Sequence, residues 1–302
     1  MKIPHFGRRA LLFAASMLFA IYVLAPIAWL VSSSFQSEAE ITSVPPHWIP
    51  EQPTLENFTT IFTAKDKVVT YENRREGDTA SGGFIPSTAK NLLPSMLNSL
   101  IVAVSVVILN LLVSVPAAYA LAKIRFIGRS SSIYFMLTTR VIPDIALVVP
   151  FFLFVQKLGL LDSKLSLIIT YLAITVPFST FILTGYFESL PDDLDKAARV
   201  DGCSRLQTLM LVYLPLAMPS LVAVVLFTFL TSWNEFLLAL MFTQTLASQT
   251  MPIVVASFTS DFNISFSFIN AAGVLAIVPP VVVAIMFERY IVSGLTAGAV
   301  KG

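Results

Sequence analysis

Long apolar runs nearly empty of charge dominate this 302-residue chain. A helix crossing the hydrocarbon of a bilayer needs about 20 predominantly apolar residues, and tilt widens that range. About six segments qualify: Ala10 to Val31, Asn98 to Ala122, Ser132 to Val155, Leu165 to Tyr186, Ser220 to Phe242 and Ile269 to Tyr290. Composition agrees. Charged residues are 12% of the chain and mean hydropathy is +0.81, whereas a soluble domain carries about 25% charge. So few charges could not cover the surface of a globule of this size. A bilayer removes the requirement, because lipid-facing surface is apolar. The expected fold class is all-α: a polytopic membrane protein of about six transmembrane helices, forming one transmembrane domain over residues 1–302.

Several spans contain proline: Pro26, Pro116, Pro143 with Pro150, Pro177, and Pro279 with Pro280. In a bundle, neighbouring groups can satisfy the freed backbone, so kinks are expected there rather than loops. The first span has a basic start, and its apolar run is longer than a signal peptide's. It is read as an uncleaved anchor. Lys and Arg placement sets the orientation. With the N-terminus inside, the inner segments hold Lys2, Arg8, Arg9, Lys123, Arg125, Arg129, Lys196, Arg199, Arg205, Arg289 and Lys301, while the short outer loops hold only Lys157 and Lys164. The expected location is a bacterial inner membrane, multi-pass, with both termini cytoplasmic. Residues 35–93 then form a long extracytoplasmic loop, partly extended, with an amphipathic stretch starting near Thr54 and a polar tip at Asp78 to Gly83. Net charge near zero, +1, argues against nucleic acid. One cysteine, Cys203, makes an internal disulfide impossible.

The inner loop over residues 188–215 is the most informative segment. Ser189, Pro191 and Asp192 suit a helix start, with a capping hydroxyl, a proline in the first turn and acid near the positive end. Leu190, Leu194 and Ala198 share one face. Ala197 and Ala198 are small enough to let another surface approach. Gly202 is a natural terminator. Ser204 starts a second helix, with Gln207 as its capping-box partner, and Pro215 and Pro219 close it. Two short helices around a Gly turn can form a docking knob or an interfacial connector.

The stretch Lys196-Ala197-Ala198-x-x-Asp201-Gly202-Cys203-Ser204, followed by Leu214-Pro215-Leu216 and Pro219, resembles the EAA loop of ABC importer permeases. Three further stretches are similar to the carbohydrate-uptake branch, and most of all to the smaller permease subunit of maltose-type importers. They are Phe126 to Gly128, Trp233-Asn234-Glu235-Phe236-Leu237, and the ending Gly294-Leu-Thr-Ala-Gly-Ala-Val-Lys-Gly302. The resemblance implies that the loop is a coupling helix seated on an ATPase, with Asp195, Lys196, Ala197, Ala198, Asp201, Gly202, Ser204 and Pro215 as coupling residues. Lys196 stands where the family pattern has Glu. The tail, residues 291–302, is Gly- and Ala-rich and expected to be flexible. The resemblance implies that Thr296, Gly298 and Lys301 reach the ATPase.

Ionisable residues inside spans are costly and default to functional hypotheses. Arg140 and Asp144 lie four apart and could pair on one helix face. Trp233, Asn234 and Glu235 could line a polar-solute path. These five form the candidate substrate pathway. No Gly-x-x-x-x-Gly-Lys-Ser/Thr pattern occurs, and no catalytic or metal-ligating set presents itself, so the chain is read as a non-enzyme. The resemblance implies no cofactor on this chain, ATP and magnesium on two partner ATP-binding subunits, a second homologous permease, an extracytoplasmic solute-binding protein, and a sugar or related polyol as solute. The rival readings are an ion-coupled secondary transporter and an ABC permease for a non-carbohydrate solute.

Overall fold

The computed structural model describes residues 5–63, 91–258 and 266–299. Those residues are helical apart from turns and loops. Four helices are long and apolar enough to cross a membrane, and up to six spans result if each of two bent pairs counts as one. The all-α polytopic expectation holds. The chain falls into two compact units, residues 1–93 with 254–277, and residues 94–253 with 278–302. The Asp78 to Gly83 tip and the basic stretch around it lie outside the described residues.

In the first unit, α1 (His5–Ser34), α2 (Glu38–Ile41) and α3 (Glu56–Thr63) precede the first half of α14 (Phe266–Ala299). Large side chains along α1, among them Phe13, Leu18 and Tyr22, are exposed, as a lipid-facing helix requires. The described part of the 35–93 segment folds back onto the end of α1, with residues 42–55 outside any helix. Asn57 Nδ2 donates to the carbonyls of Ser34 at 2.8 Å and Gln36 at 2.9 Å, and Trp48 stacks edge-on against Trp29. The Glu38 carboxylate accepts from the backbone N–H groups of Phe266 and Ser267, 3.0 Å each. It thereby satisfies two of the four orphan donors that open a helix.

In the second unit, the main helices are α4 (Leu92–Lys123), α7 (Lys164–Ser189) and α11 (Met218–Trp233). They meet at a buried polar knot. Asn110 Nδ2 donates to Ser179 Oγ at 3.0 Å and to Thr228 Oγ1 at 3.2 Å. In an apolar surround, interhelical hydrogen bonds of this kind hold helices where hydrophobic contrast with lipid is weak. The knot was not singled out from sequence, because one Asn among apolar neighbours does not name its partners.

Two expected spans are corrected. The segment Ser132 to Val155 is not one kinked helix. It divides into α5 (Arg129–Thr139) and α6 (Asp144–Lys157), bent by 101°. Pro143 is the cause: it has no N–H, it pushes Ile142 out of the helical region, and it serves as the extended N-cap of α6. The other intramembrane prolines, Pro26, Pro116, Pro150, Pro177, Pro279 and Pro280, sit inside unbroken helices as expected. The segment Ser220 to Phe242 breaks after Trp233, where Asn234 caps α11 and α12 (Leu237–Phe242) begins anew.

The expected flexible tail is also corrected in its described part. Helix α14 runs to Ala299, so Thr296 and Gly298 lie on a helix; Lys301 lies outside the described residues. No strong breaker follows Tyr290, and single glycines cost only about 1 kcal/mol each in a helix.

Candidate functional site

The 188–215 loop folds as two short helices about Gly202, as expected, but its start differs. Ser189 is the last residue of α7, its hydroxyl donating to Tyr186 O at 2.7 Å. The first loop helix, α8 (Asp193–Val200), is preceded by Asp192. Pro191 ends α7 rather than opening α8, since the residue before a proline avoids helical geometry; Leu190 is extended. Helix α8 closes in a Schellman turn: Cys203 N–H donates to Ala198 O at 2.9 Å and Gly202 N–H to Arg199 O at 3.1 Å. Gly202 supplies the left-handed residue this turn needs, at φ +82°. Asp201 is the C-cap of α8.

Next, Ser204 caps α9 (Arg205–Thr208), and both halves of the capping box with Gln207 are present. The prolines do not close this helix. A π-helical turn over Leu209–Tyr213 carries it into α10 (Leu214–Leu216), with Pro215 in the first turn of α10 and Pro219 in that of α11. The Arg205–Leu216 arm meets α11 at an 83° bend.

The coupling candidates divide by direction. Ala197 is exposed while Ala198 is buried, so one of the two alanines is open to a partner. Lys196 points outward, its Nζ 2.8 Å from Asp193 Oδ1, and that hydrogen bond raises its pKa. Asp195 turns inward: Oδ1 accepts from the Tyr119 hydroxyl at 2.9 Å, and Oδ2 lies 3.6 Å from Arg199. Two more links join this loop to the end of α4 and the start of α5. Lys123 Nζ is 2.8 Å from both Asp192 Oδ1 and Leu190 O, and this holds the Asp192 carboxyl below its ordinary pKa. Arg129 pairs with Glu188. Sequence reading missed Tyr119 and Lys123, which no local pattern marks.

The five pathway candidates are not brought together. Arg140 and Asp144 form no ion pair; the α5–α6 break separates them. The Arg140 guanidinium lies over Phe178 at 4.4 Å and Phe227 at 5.4 Å from the ring centroids, a cation–π arrangement. Trp233 is only 3% exposed and stacks on Phe229, so it packs into the core. Asn234 is exposed. The Glu235 carboxylate accepts from Leu238 N at 2.8 Å, Ala239 N at 3.1 Å and the Tyr171 hydroxyl at 2.6 Å. It is the cap of α12. Asp144 and Glu235 do share a small cleft with Tyr171, Thr231 and Ile174.

At the other end of α7, Asp162 makes a latch that sequence reading did not find. Its carboxylate accepts from Gln244 N, Thr245 N and Thr245 Oγ1 at 2.9, 2.9 and 2.7 Å, and from Ser248 Oγ. Its own N–H donates to Phe242 O at 2.7 Å, with Asp162 at φ +58°. Lys164 Nζ and Asn98 Nδ2 hold the same loop through Ala247 O, Leu246 O and Gln249 O. An Asp in a Gly-Leu-Leu-Asp-Ser turn tolerates the left-handed region, which is the one local hint. The Ser248 hydroxyl and the Thr245 and Gln244 donors keep this carboxyl well below the ordinary carboxylate range. A depressed folded value means the stabilisation is present above the unfolded value, near pH 4, and is lost only as pH falls through the folded one. Protection of the 243–250 segment against hydrogen exchange, relative to the pH-dependent intrinsic rate, is therefore expected to stay flat from pH 7 to about pH 5. Asp162→Asn should speed exchange at Gln244 and Thr245 by roughly tenfold or more, as loss of bonds to a charged acceptor predicts. Equal protection in the variant would remove the latch.

Long apolar helices, two sharply bent helix pairs and an exposed two-helix loop describe a multi-pass membrane protein. Residues 112–296 match the family model for the binding-protein-dependent transport system inner membrane component, and the chain belongs to that family. It is a multi-pass inner-membrane transport permease. Among similar proteins is the trehalose/maltose transport system permease protein MalG of Thermococcus litoralis, 36% identical over 98% of this chain and 98% of that one. Another is the sulfoquinovosyl glycerol transport system permease protein SmoH of Agrobacterium fabrum, 33% identical over 98% and 95%. A third is the diacetylchitobiose uptake system permease protein DasC of Streptomyces coelicolor, 32% identical over the full length of both. The fold is similar to a chain in the crystal structure of a bacterial ABC transporter involved in the import of the acidic polysaccharide alginate. That match has a TM-score of 0.75 and 24% identity and covers 96% of this chain and 99% of that chain.

Proposed function

We propose that this permease forms half of the translocation pathway of an ATP-driven ABC importer for a carbohydrate or related polyol. The solutes for which the similar permeases are named, trehalose/maltose, sulfoquinovosyl glycerol and diacetylchitobiose, support the solute class. One observation carries the coupling reading: α8 presents Ala197 and the Lys196–Asp193 pair outward on a helix fixed at its end by a Schellman turn and followed by a capping box. An ordered knob of this kind suits a partner cleft better than a solvated connector does.

The partners on this reading are a second homologous permease, two ATP-binding subunits that hold ATP and magnesium, and an extracytoplasmic solute-binding protein. The α8 loop and both termini face the cytoplasm, in keeping with the Lys and Arg distribution. ATP binding closes the ATP-binding subunits, α8 moves with them, and the bundle changes the side to which it opens. Thr296, Gly298 and Lys301 extend toward the same subunits. Co-purification of the tagged chain from native membranes tests this. A second permease and an ATP-hydrolysing subunit should accompany it, and vesicle uptake should require ATP and the binding protein. A chain that purifies alone and moves solute without ATP would return the ion-coupled transporter to first place.

A further inference from the structure

Chain connectivity links α8 to α7 through residues 190–192 and to α11 through α9, the π-helical turn and α10. It provides no such link to α4. The structure supplies one through side chains. Tyr119 and Lys123 lie one turn apart on the last stretch of α4, the spacing that puts residues on a common face. Both side chains are about 5% exposed. The Tyr119 hydroxyl donates to Asp195 in the first turn of α8. The Lys123 ammonium bridges Leu190 O and the Asp192 carboxylate, immediately before α8, and lies 5.6 Å from the centre of the Tyr213 ring.

Beneath these contacts, three aromatic rings from three elements meet edge to face. Tyr119 of α4 packs on Tyr213 of the π-helical turn at 5.2 Å and on Phe187 of α7 at 6.4 Å, and Phe187 packs on Tyr213 at 5.8 Å. All three are buried, so a displacement of any one element strains the other two. A π-helical turn in such a place often marks a functional position.

We propose, on the reading of α8 as the coupling element, that Tyr119 and Lys123 are positioning residues that clamp α8 to α4, so that displacement of α8 is delivered to three helices together. Asp195 then serves the inside of the permease rather than the ATPase surface. The Asp195–Arg199 contact is long, at 3.6 Å, and its Arg199 end is solvent-exposed, so it adds little.

The test uses the complete transporter in vesicles and reads solute moved per ATP hydrolysed. Tyr119→Phe keeps the ring packed on Phe187 and Tyr213 and removes only the hydroxyl. It should leave complex assembly unchanged and lower the ratio by about tenfold, the weight of a hydrogen bond to a charged group. Asp195→Ala should do the same, and the double variant should be no worse than either, because both act through one contact. Lys123→Met should lower the ratio and Lys123→Arg should restore it. A Tyr119→Phe ratio equal to wild type, or losses that add in the double variant, would overturn the clamp. A wild-type chain that recruits no ATPase removes the parent reading instead, so the two failures are separable.

Discussion

Replacing Glu235 by alanine should cost this permease a large part of its stability. The carboxylate satisfies two backbone N–H groups that open α12 and the hydroxyl of Tyr171. Leu238, Ala239 and Tyr171 are each no more than 2% exposed, so the donors that the carboxylate satisfies are buried. Each buried donor left unmade costs about 1–3 kcal/mol, which for the set gives about 3 kcal/mol or more. Folded proteins are stable by only about 5–15 kcal/mol. The expected result is a fall in membrane abundance and a melting temperature in detergent lower by about 5 °C or more. Glu235→Gln keeps an acceptor for one N–H and should fall between the two. Wild-type melting in Glu235→Ala would show that the carboxylate is no cap, and would return it to the pathway facing the solute.

The second large effect falls on Gly202. A side chain there would meet nothing within 4 Å, so space is not the obstacle. The obstacle is φ +82°, where a Cβ crowds the following carbonyl at a cost of about 1–2 kcal/mol, and more for a β-branched residue. Gly202→Val should open the Schellman turn, let α8 swing relative to α9, and cut transport more than about tenfold while the spans still insert. Gly202→Asn should retain most activity, because Asn visits the left-handed region. The comparison to make is ATP-dependent uptake by the two variants at equal membrane levels. Equal uptake by both would mean that the turn does not set the loop's working geometry.

How much was legible in advance follows the range of the interaction. The long helices could be found because bilayer thickness imposes a length and an apolarity on every span. The loop could be found because its determinants are local: Gly202 at a helix end, Ser204 three residues before Gln207, and small residues between. Where the reading failed, the deciding partner was distant in sequence. Arg140 is four residues from Asp144, yet it stacks on Phe178 and Phe227, because Pro143 breaks the helix between the two charges. Trp233 resembled a lining residue until the fold buried it against Phe229. Asp195 looked like a surface contact until Tyr119, 76 positions away, took its carboxylate.

By itself, then, the sequence determined that this chain lives in a bilayer and that its 188–215 loop is ordered about Gly202 and Ser204. Apolar periodicity, proline and glycine act within a few residues of themselves. Only the tertiary structure decided which way each charge in that loop points, which carboxylates cap helices, and that Asp162 latches the 243–250 segment. An ionisable side chain in a low-dielectric interior goes where donors or counter-charges await it, and packing, not sequence neighbourhood, puts them there.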